Sequence, residues 1–384
     1  MRNKFLMLVS YILVAVLASV WTLYLFDRQT ETTQKLEALE ALIAERYIGE
    51  ADLERAADAA ANAMVEALPD RWSYYISADE YESYLEQMKN AYVGIGITIE
   101  PTQDEQGIHI LKVTPGGPAE RAGICAGDVL THVEGTSVGE LGMDGVRSAI
   151  RGEEGTTVKI TLSRQDKTME LIVTRESIQT QVATGQMLQE GIGYIKIVNF
   201  DDRCAQETKA AIAALQEQGA KALIFDVRYN PGGYKHELVN LLDYLLPEQV
   251  VFRSEDYAGK VSEDISDEAY LDMPMAVLVN SESYSAAEFF AAALNDYDAA
   301  IIVGEQTSGK GYFQQTYSLP DGSAVALSVG KYYTPKGESL EGVGITPDVV
   351  CPVDDSTAYE IYAETLLPEE DPQIQEAVKA LLGN

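Results

Sequence analysis

The sequence predicts an α/β core that carries a small, mostly β module and follows a helical amino-terminal region and a transmembrane helix. Three observations predict it. The chain has 384 residues, room for two or three domains, and its 46% hydrophobic and 23% charged residues suit a protein with a real core. Residues 5–26 carry no charge. Beyond residue 90 the helical texture gives way to short apolar runs punctuated by glycine and proline, and then to alternating strand and helix patterns.

The elements follow in chain order. At about 1.5 Å per residue, a helix over 5–26 spans the roughly 30 Å hydrocarbon layer. Arg2 and Lys4 precede it, so residues 1–4 are expected as a cytoplasmic tip and the rest of the chain outside the cytoplasm, held to the cell membrane by a single-pass signal anchor. A peptide cleaved after Ala18 is the competing reading; it would leave the apolar run 20–26 exposed, which favours the anchor. Residues 27–90 are rich in Ala, Glu and Leu, with Leu36, Leu39 and Ile43 and then Ala60, Met64 and Leu68 at helical spacing. Two or three packed helices are expected there, a spacer or dimerisation arm, and with the helical carboxyl end they make a homodimer plausible. Residues 91–175 form the β module, with strands over 93–100, 109–113, 128–134 and 157–163. Residues 176–350 form the α/β core, with strands over 193–197, 222–227, 275–279 and 300–303 and helices over 202–217, 235–246 and 285–294. Residues 351–384 are expected to be helical, as one helix over 357–381.

Composition removes several function classes. Lys plus Arg total 28 and Asp plus Glu 61, a formal charge of −33 that a phosphate backbone would repel, so no nucleic acid partner is expected. Cys125, Cys204 and Cys351 lack CxxC spacing, which leaves at most one bridge and no four-cysteine zinc site. Three motifs tempt and fail. Gly135-Thr136-Ser137-Val138-Gly139 matches GxSxG, but inside the β module and with no helix pattern directly after it, so it reads as a hairpin turn. The run 304–310 matches GxxxxGK, but Gly311 stands where magnesium needs Ser or Thr. His236-Glu237 opens an HExxH-like run, but Asn240 replaces the second histidine. Neither a metal nor an organic cofactor is expected.

Two constellations remain. In Gly94-Ile95-Gly96-Ile97, glycines let successive amides converge on one point, suited to a carboxylate, beside a strand edge that could accept an extended peptide. In the core, Ser285 follows a strand and opens an apolar helix, placing a hydroxyl beside helix-end amides; helix capping is the plainer role for such a serine. Lys310, between Gly309 and Gly311, lies in apolar surroundings that could lower its pKa toward neutrality, and a neutral amine can take a serine proton. Gln314 is placed to orient that amine, while Gly232 and Gly233 after Asp226, with Ala286, can donate to an oxyanion. His236 is the alternative base.

These residues carry resemblances. The Gly94–Ile97 run, followed by 113–119, Ala122-Gly123-Ile124 and Gly127-Asp128-Val129-Leu130, resembles a PDZ domain, which implies capture of a free chain end at Gly94, Ile95, Gly96 and Ile97. Residues 40–350 resemble a carboxyl-terminal processing peptidase, the tail-specific serine proteases with an inserted PDZ domain. The family's SASASE signature appears at 283–288, its GKGxxQ at 309–314 and its DLRxNPGG at 226–233, with further matches at Tyr333-Thr334-Pro335 and Gly344-Ile345-Thr346-Pro347-Asp348. Tyr284 and Ala287 replace the commonest Ala and Ser, Val227 replaces Leu, and Ser308 replaces the usual Phe. The resemblance implies a ClpP/crotonase-like protease core and a serine endopeptidase that acts on protein or peptide substrates with a free C-terminus through Ser285 and Lys310, with Gln314 assisting. In similar enzymes the PDZ domain gates the site, which makes Arg151 a candidate switch contact. The rivals are a catalytically silent PDZ scaffold and a Ser/His hydrolase using His236.

Overall fold

The computed structural model describes residues 31–102, 107–165 and 167–383. The expected tip (1–4) and membrane segment (5–26) lie outside these residues, and among the described residues no helix is long and apolar enough to cross a membrane. The chain divides into two compact units, 1–69 and 70–384.

In the first unit the helical spacing yields helices Glu31–Arg46 and Leu53–Glu66, the second capped by Asp52, which accepts from Arg55 N–H at 3.0 Å. The expected packing does not form: no residue of Leu53–Glu66 is buried, and Leu39 and Leu42 are 51% and 57% exposed. Alanine favours the helix but offers little area to bury.

The second unit is built on a six-stranded sheet whose order follows the chain: Ala183–Met187, Ile192–Ile197, Ala222–Asp226, Met275–Val279, Ala300–Gly304, Val349–Val350. The first pair is antiparallel and the rest are parallel. Parallel strands covered on both faces are apolar throughout, as ALIFD and MAVLV nearly are. Their side chains divide with the period of two. Leu223, Phe225, Val277 and Val279 share one core with helices Cys204–Glu217, Lys235–Leu245 and Ala286–Asp296; Ile224, Ala276 and Leu278 meet Ile374 and Ala377 of helix Pro372–Leu382 on the other face. The single carboxyl-terminal helix expected over 357–381 is two, Asp355–Tyr362 and Pro372–Leu382, because Asp371 and Pro372 start a new helix with a side-chain cap and a proline in its first turn.

A second sheet runs Tyr74–Ile76, Ala324–Tyr333, Val250–Asp256, Val261–Ile265, with Tyr312–Ser318 also on Ala324–Tyr333. Tyr74–Ile76 falls in the stretch expected to be helical; its aromatic and β-branched residues favour the strand it forms.

The β module is a sheet of Ile97–Pro101, Ile108–Val113, Val129–Val133, Thr157–Arg164 and Lys167–Thr174, with Thr136–Ser137 against Val129–Val133. The strand expected over 93–100 breaks at Ile95 and Gly96, and its first half, Ala91–Gly94, pairs with Glu176–Gln179, so the entry and exit of the insert form a two-stranded ribbon. Helix Val138–Ile150, absent from the expectation, closes the module with Val138, Val146 and Ile150 and kinks at Gly142, φ 65°.

Candidate active site

Asp226, Val279 and Gly304 end three adjacent parallel strands. The loops that follow them, 227–233, 280–285 and 305–311, therefore leave one edge of the sheet, where open α/β sheets place their sites. The first two loops bind each other. Ser283 Oγ donates to Val227 O at 2.7 Å, Asn280 Oδ1 accepts from Tyr229 N–H at 3.0 Å, and Tyr284 N–H donates to Asn230 O at 3.2 Å. Arg228, buried among Asp226, Asp371 and Gln373, ties the first loop to the carboxyl-terminal helix.

Ser285 joins strand Met275–Val279 to helix Ala286–Asp296 with φ 58° and ψ −125°. For a residue with a Cβ, such backbone costs about 1–3 kcal/mol and persists only where neighbours enforce it. Gly232 is one such neighbour: a Cβ there would stand 2.8 Å from Ser285 Cβ and 2.9 Å from Ala286 N. Gly233 presses as closely on Phe200, where a Cβ would meet the carbonyl carbon at 2.4 Å. The two glycines differ as donors. Gly232 N–H is already given to Asn230 Oδ1 at 2.9 Å, which corrects its expected role as an oxyanion donor, whereas Gly233 N–H and Ala286 N–H have no acceptor among the described residues.

Glu288, within the 283–288 run, is fully buried one turn into helix Ala286–Asp296. Its Oε2 accepts from Ser285 N–H at 2.9 Å and Lys310 N–H at 2.8 Å; its Oε1 accepts from Thr307 Oγ1 at 2.6 Å and Gly309 N–H at 2.7 Å. One carboxylate thus buckles the serine turn to the lysine loop. Burial raises its pKa against these hydrogen bonds, which pull it down. The available signal was Ser285-x-x-Glu288, the spacing of a capping box, of which the bond from Ser285 N–H to the Glu288 carboxylate is formed.

Lys310 is half-buried. Burial brings its amine down to about 8, against the opposing carboxylates of Asp70, Glu288 and Glu341. Its Nζ makes no hydrogen bond or ion pair among the described residues and lies 5.0 Å from the Trp72 ring centroid and 5.7 Å from that of Tyr284. The expected Gln314–Lys310 bond is not formed: strand Tyr312–Ser318 aims Gln314 at its neighbour, and the amide donates to Ser328 Oγ at 3.0 Å and Tyr312 O at 3.2 Å. Ser285, Lys310, Gly232, Gly233 and Gln314 line one cavity of about 1400 Å³, with Arg151 and Tyr92 from the insert on its wall. His236 also reaches this wall, but its side chain is 61% exposed and stacks on Tyr234 at 5.2 Å.

Asp201, on the same wall, was not foreseen. It is buried, its Oδ1 has no partner among the described residues, and burial, with Asp202 adding to it, raises its pKa to about 7. In sequence it is only an aspartate ahead of a helix.

In the insert, Ile95 is fully buried and Gly96 has φ 77°. The carbonyls of both are taken by Ala119 and Thr114 N–H, while their own N–H groups have no acceptor among the described residues. Strand Ile97–Pro101 ends the sheet, with one edge unpaired within it. The discarded GxSxG has a different basis from the one expected: Thr136–Ser137 is a hairpin strand, yet a helix does follow, and Ser137 Oγ caps it by accepting from Glu140 N–H at 3.2 Å. The three cysteines are free, and no group of three His, Cys, Asp or Glu among the described residues could hold a metal ion.

Comparison with known proteins finds both parts of the chain similar to known families. The profile of peptidase family S41 matches residues 191–351 and that of a PDZ domain matches 109–164. The chain is 31% identical over 365 residues to the carboxy-terminal processing protease CtpA of Bacillus subtilis, covering 91% of this chain and 78% of that one. It is 34% identical over 325 residues to a protein of Staphylococcus haemolyticus named "Probable CtpA-like serine protease"; 83% of this chain is covered, and the chain spans only 65% of that relative's length. A solved S41 protease structure from Bacteroides fragilis matches with a TM-score of 0.52 at 18% identity, over 83% of this chain and 92% of the other, a likeness of fold.

Proposed function

Because this chain belongs to peptidase family S41, the carboxy-terminal processing serine peptidases, we propose that it is an endopeptidase that cleaves with a Ser285–Lys310 dyad and takes substrates by their free C-termini through the PDZ insert. The observation that carries the reading is the Glu288 carboxylate, which holds the backbone N–H groups of Ser285 and Lys310 on one oxygen, at 2.9 and 2.8 Å, beside a shared cavity.

The chemistry follows from the groups present. The neutral Lys310 amine takes the Ser285 proton as Oγ adds to the scissile carbonyl. The negative charge on the carbonyl oxygen falls to Gly233 N–H and Ala286 N–H, each such donor being commonly worth about 3 kcal/mol. As the C–N bond breaks, the lysine ammonium returns its proton to the leaving amine. Water then adds to the ester, passing its proton to Lys310, and as the ester C–O bond breaks the ammonium gives that proton to Ser285 Oγ, releasing the acid and restoring the serine and the neutral amine. Gln314 enters this cycle only if it releases Ser328. For the insert, the unpartnered N–H groups of Ile95 and Gly96 support capture of a terminal carboxylate, and the open edge of Ile97–Pro101 supports strand addition. The uncharged residues 5–26 support an anchor that places the catalytic part outside the cytoplasm.

One assay tests the reading. Cleavage of a peptide with a free C-terminus should be abolished by Lys310→Ala, retained by His236→Ala, and weakened when the same peptide is amidated. Loss with His236→Ala and survival with Lys310→Ala would give the site to a Ser/His hydrolase.

A further inference from the structure

The Lys310 amine rests against two aromatic rings from distant parts of the chain. Trp72 and Tyr284 stack at 6.1 Å with 27° between their planes, and the amine faces both. Tyr284 stands where the resemblance expects alanine, immediately before the nucleophile. Trp72 is brought there by a short strap, residues 70–73, that grips the lysine loop on both sides. Arg71 donates to Ser308 O at 3.0 Å; Trp72 Nε1 donates to Glu341 Oε1 at 3.2 Å, and Glu341 Oε2 accepts from Gly311 N–H at 2.8 Å. Asp70 folds the strap on itself by accepting from Trp72 N–H at 3.0 Å and Ser73 Oγ at 2.5 Å, and Ser73 Oγ accepts from Ser328 N–H at 2.9 Å.

We propose that Trp72 and Tyr284 form an aromatic seat for the Lys310 amine, acting as positioning residues that keep it shielded from water and aimed for proton exchange with Ser285. This deepens the reading above and rests on it.

Opposing influences meet at the seat. Ring faces favour the ammonium. The carboxylates of Asp70 in the strap, Glu341 in the loop beyond it and Glu288 under the lysine loop favour it too. Arg71, 4.2 Å over the Trp72 ring, opposes it, and Arg151, Lys235, His236, Glu86 and Asp201 face the same cavity. Loss of water disfavours the charge, and for buried lysines this can reach 3–5 pKa units. It prevails here, since the amine sits near 8. Removing a ring therefore admits water and raises the pKa, even though a cation–π contact is lost as well.

The test measures the amine directly. Acetylation of Lys310 by acetic anhydride, followed across pH by mass spectrometry of its peptide, gives the titration midpoint whether or not the enzyme turns over; kcat/KM is measured over the same range. Trp72→Ala and Tyr284→Ala should each raise the midpoint by about one pH unit. That lowers the neutral fraction, and kcat/KM, about tenfold at pH 7, with recovery above pH 9. Trp72→Phe, which keeps a ring but loses the bond to Glu341, should keep the wild-type midpoint. Unmoved midpoints in both alanine variants overturn the proposal, as does a Trp72→Phe shift equal to that of Trp72→Ala, which would assign the effect to Glu341. If one alanine variant fails to fold, the other decides. Activity surviving Lys310→Ala would reject the dyad and leave the acetylation result standing on its own.

Discussion

Ser137 and Ser285 each sit where a strand turns into a helix, and they are used differently. Ser137, in the insert, has relaxed backbone, φ −68° and ψ 145°, and its hydroxyl oxygen accepts from Glu140 N–H three residues on. Ser285, in the core, has φ 58°, and the acidic residue three positions on, Glu288, reaches back to its backbone N–H and onward to the lysine loop. The glycines nearby differ as much. Gly135 has open space around it, whereas Gly232 presses on the Ser285 turn. Only Ser137 carries the GxSxG pattern. What sets Ser285 apart is a positive-φ backbone, unpartnered amides at Gly233 and Ala286, and a carboxylate that ties its turn to the Lys310 loop.

The largest effect expected from this contrast is at Gly232. Gly232→Ala places a Cβ 2.8 Å from Ser285 Cβ, at φ 90°, so the turn must shift. Misplacement of about 1 Å is enough to cost about a hundredfold, and kcat should fall at least that far. An unchanged kcat would show that Ser285 is not held by this contact. Next comes Glu288→Gln. Its amide can still accept on the oxygen side, but its NH₂ faces two donors in place of the second oxygen, so the buckle opens on one side. A fall of about 10–100-fold in kcat with little change in KM is expected, because the bond organises reacting groups and does not bind substrate. A rise in KM at constant kcat would place Glu288 in substrate binding.

The sheet that positions both loops was legible in the sequence because its strands are buried on both faces and read as continuous apolar runs; 275–279 was given with its observed ends. Ser285 and Lys310 could be picked out because each lies in a local pattern. What escaped is non-local or disguised. Helix Val138–Ile150 is hidden by Gly139, Gly142 and Gly145, which break its propensity while Val138, Val146 and Ile150 still supply its buried face. The role of Glu288 depends on donors 19 to 22 residues downstream, and that of Trp72 on a lysine from a remote loop. Gln314 was misread in direction, because strand register, which no local motif encodes, turned it toward Ser328.

The smallest expected effect closes the contrast from the other side. Ser137→Ala removes a helix cap and should cost about 1 kcal/mol of stability, read as a lower denaturant midpoint. Cleavage of a short peptide that does not need the insert should stay at the wild-type rate. The hydroxyl at 137 satisfies one amide at the start of a helix that faces the module core, and its backbone is already relaxed, so no strain is released and no loop of the cavity moves. If peptide cleavage instead fell with the lost cap, helix Val138–Ile150 would have to transmit its state to the catalytic edge. Arg151, which follows that helix and lies 5.2 Å over the Tyr92 ring on the cavity wall, is the residue through which such an effect would have to pass.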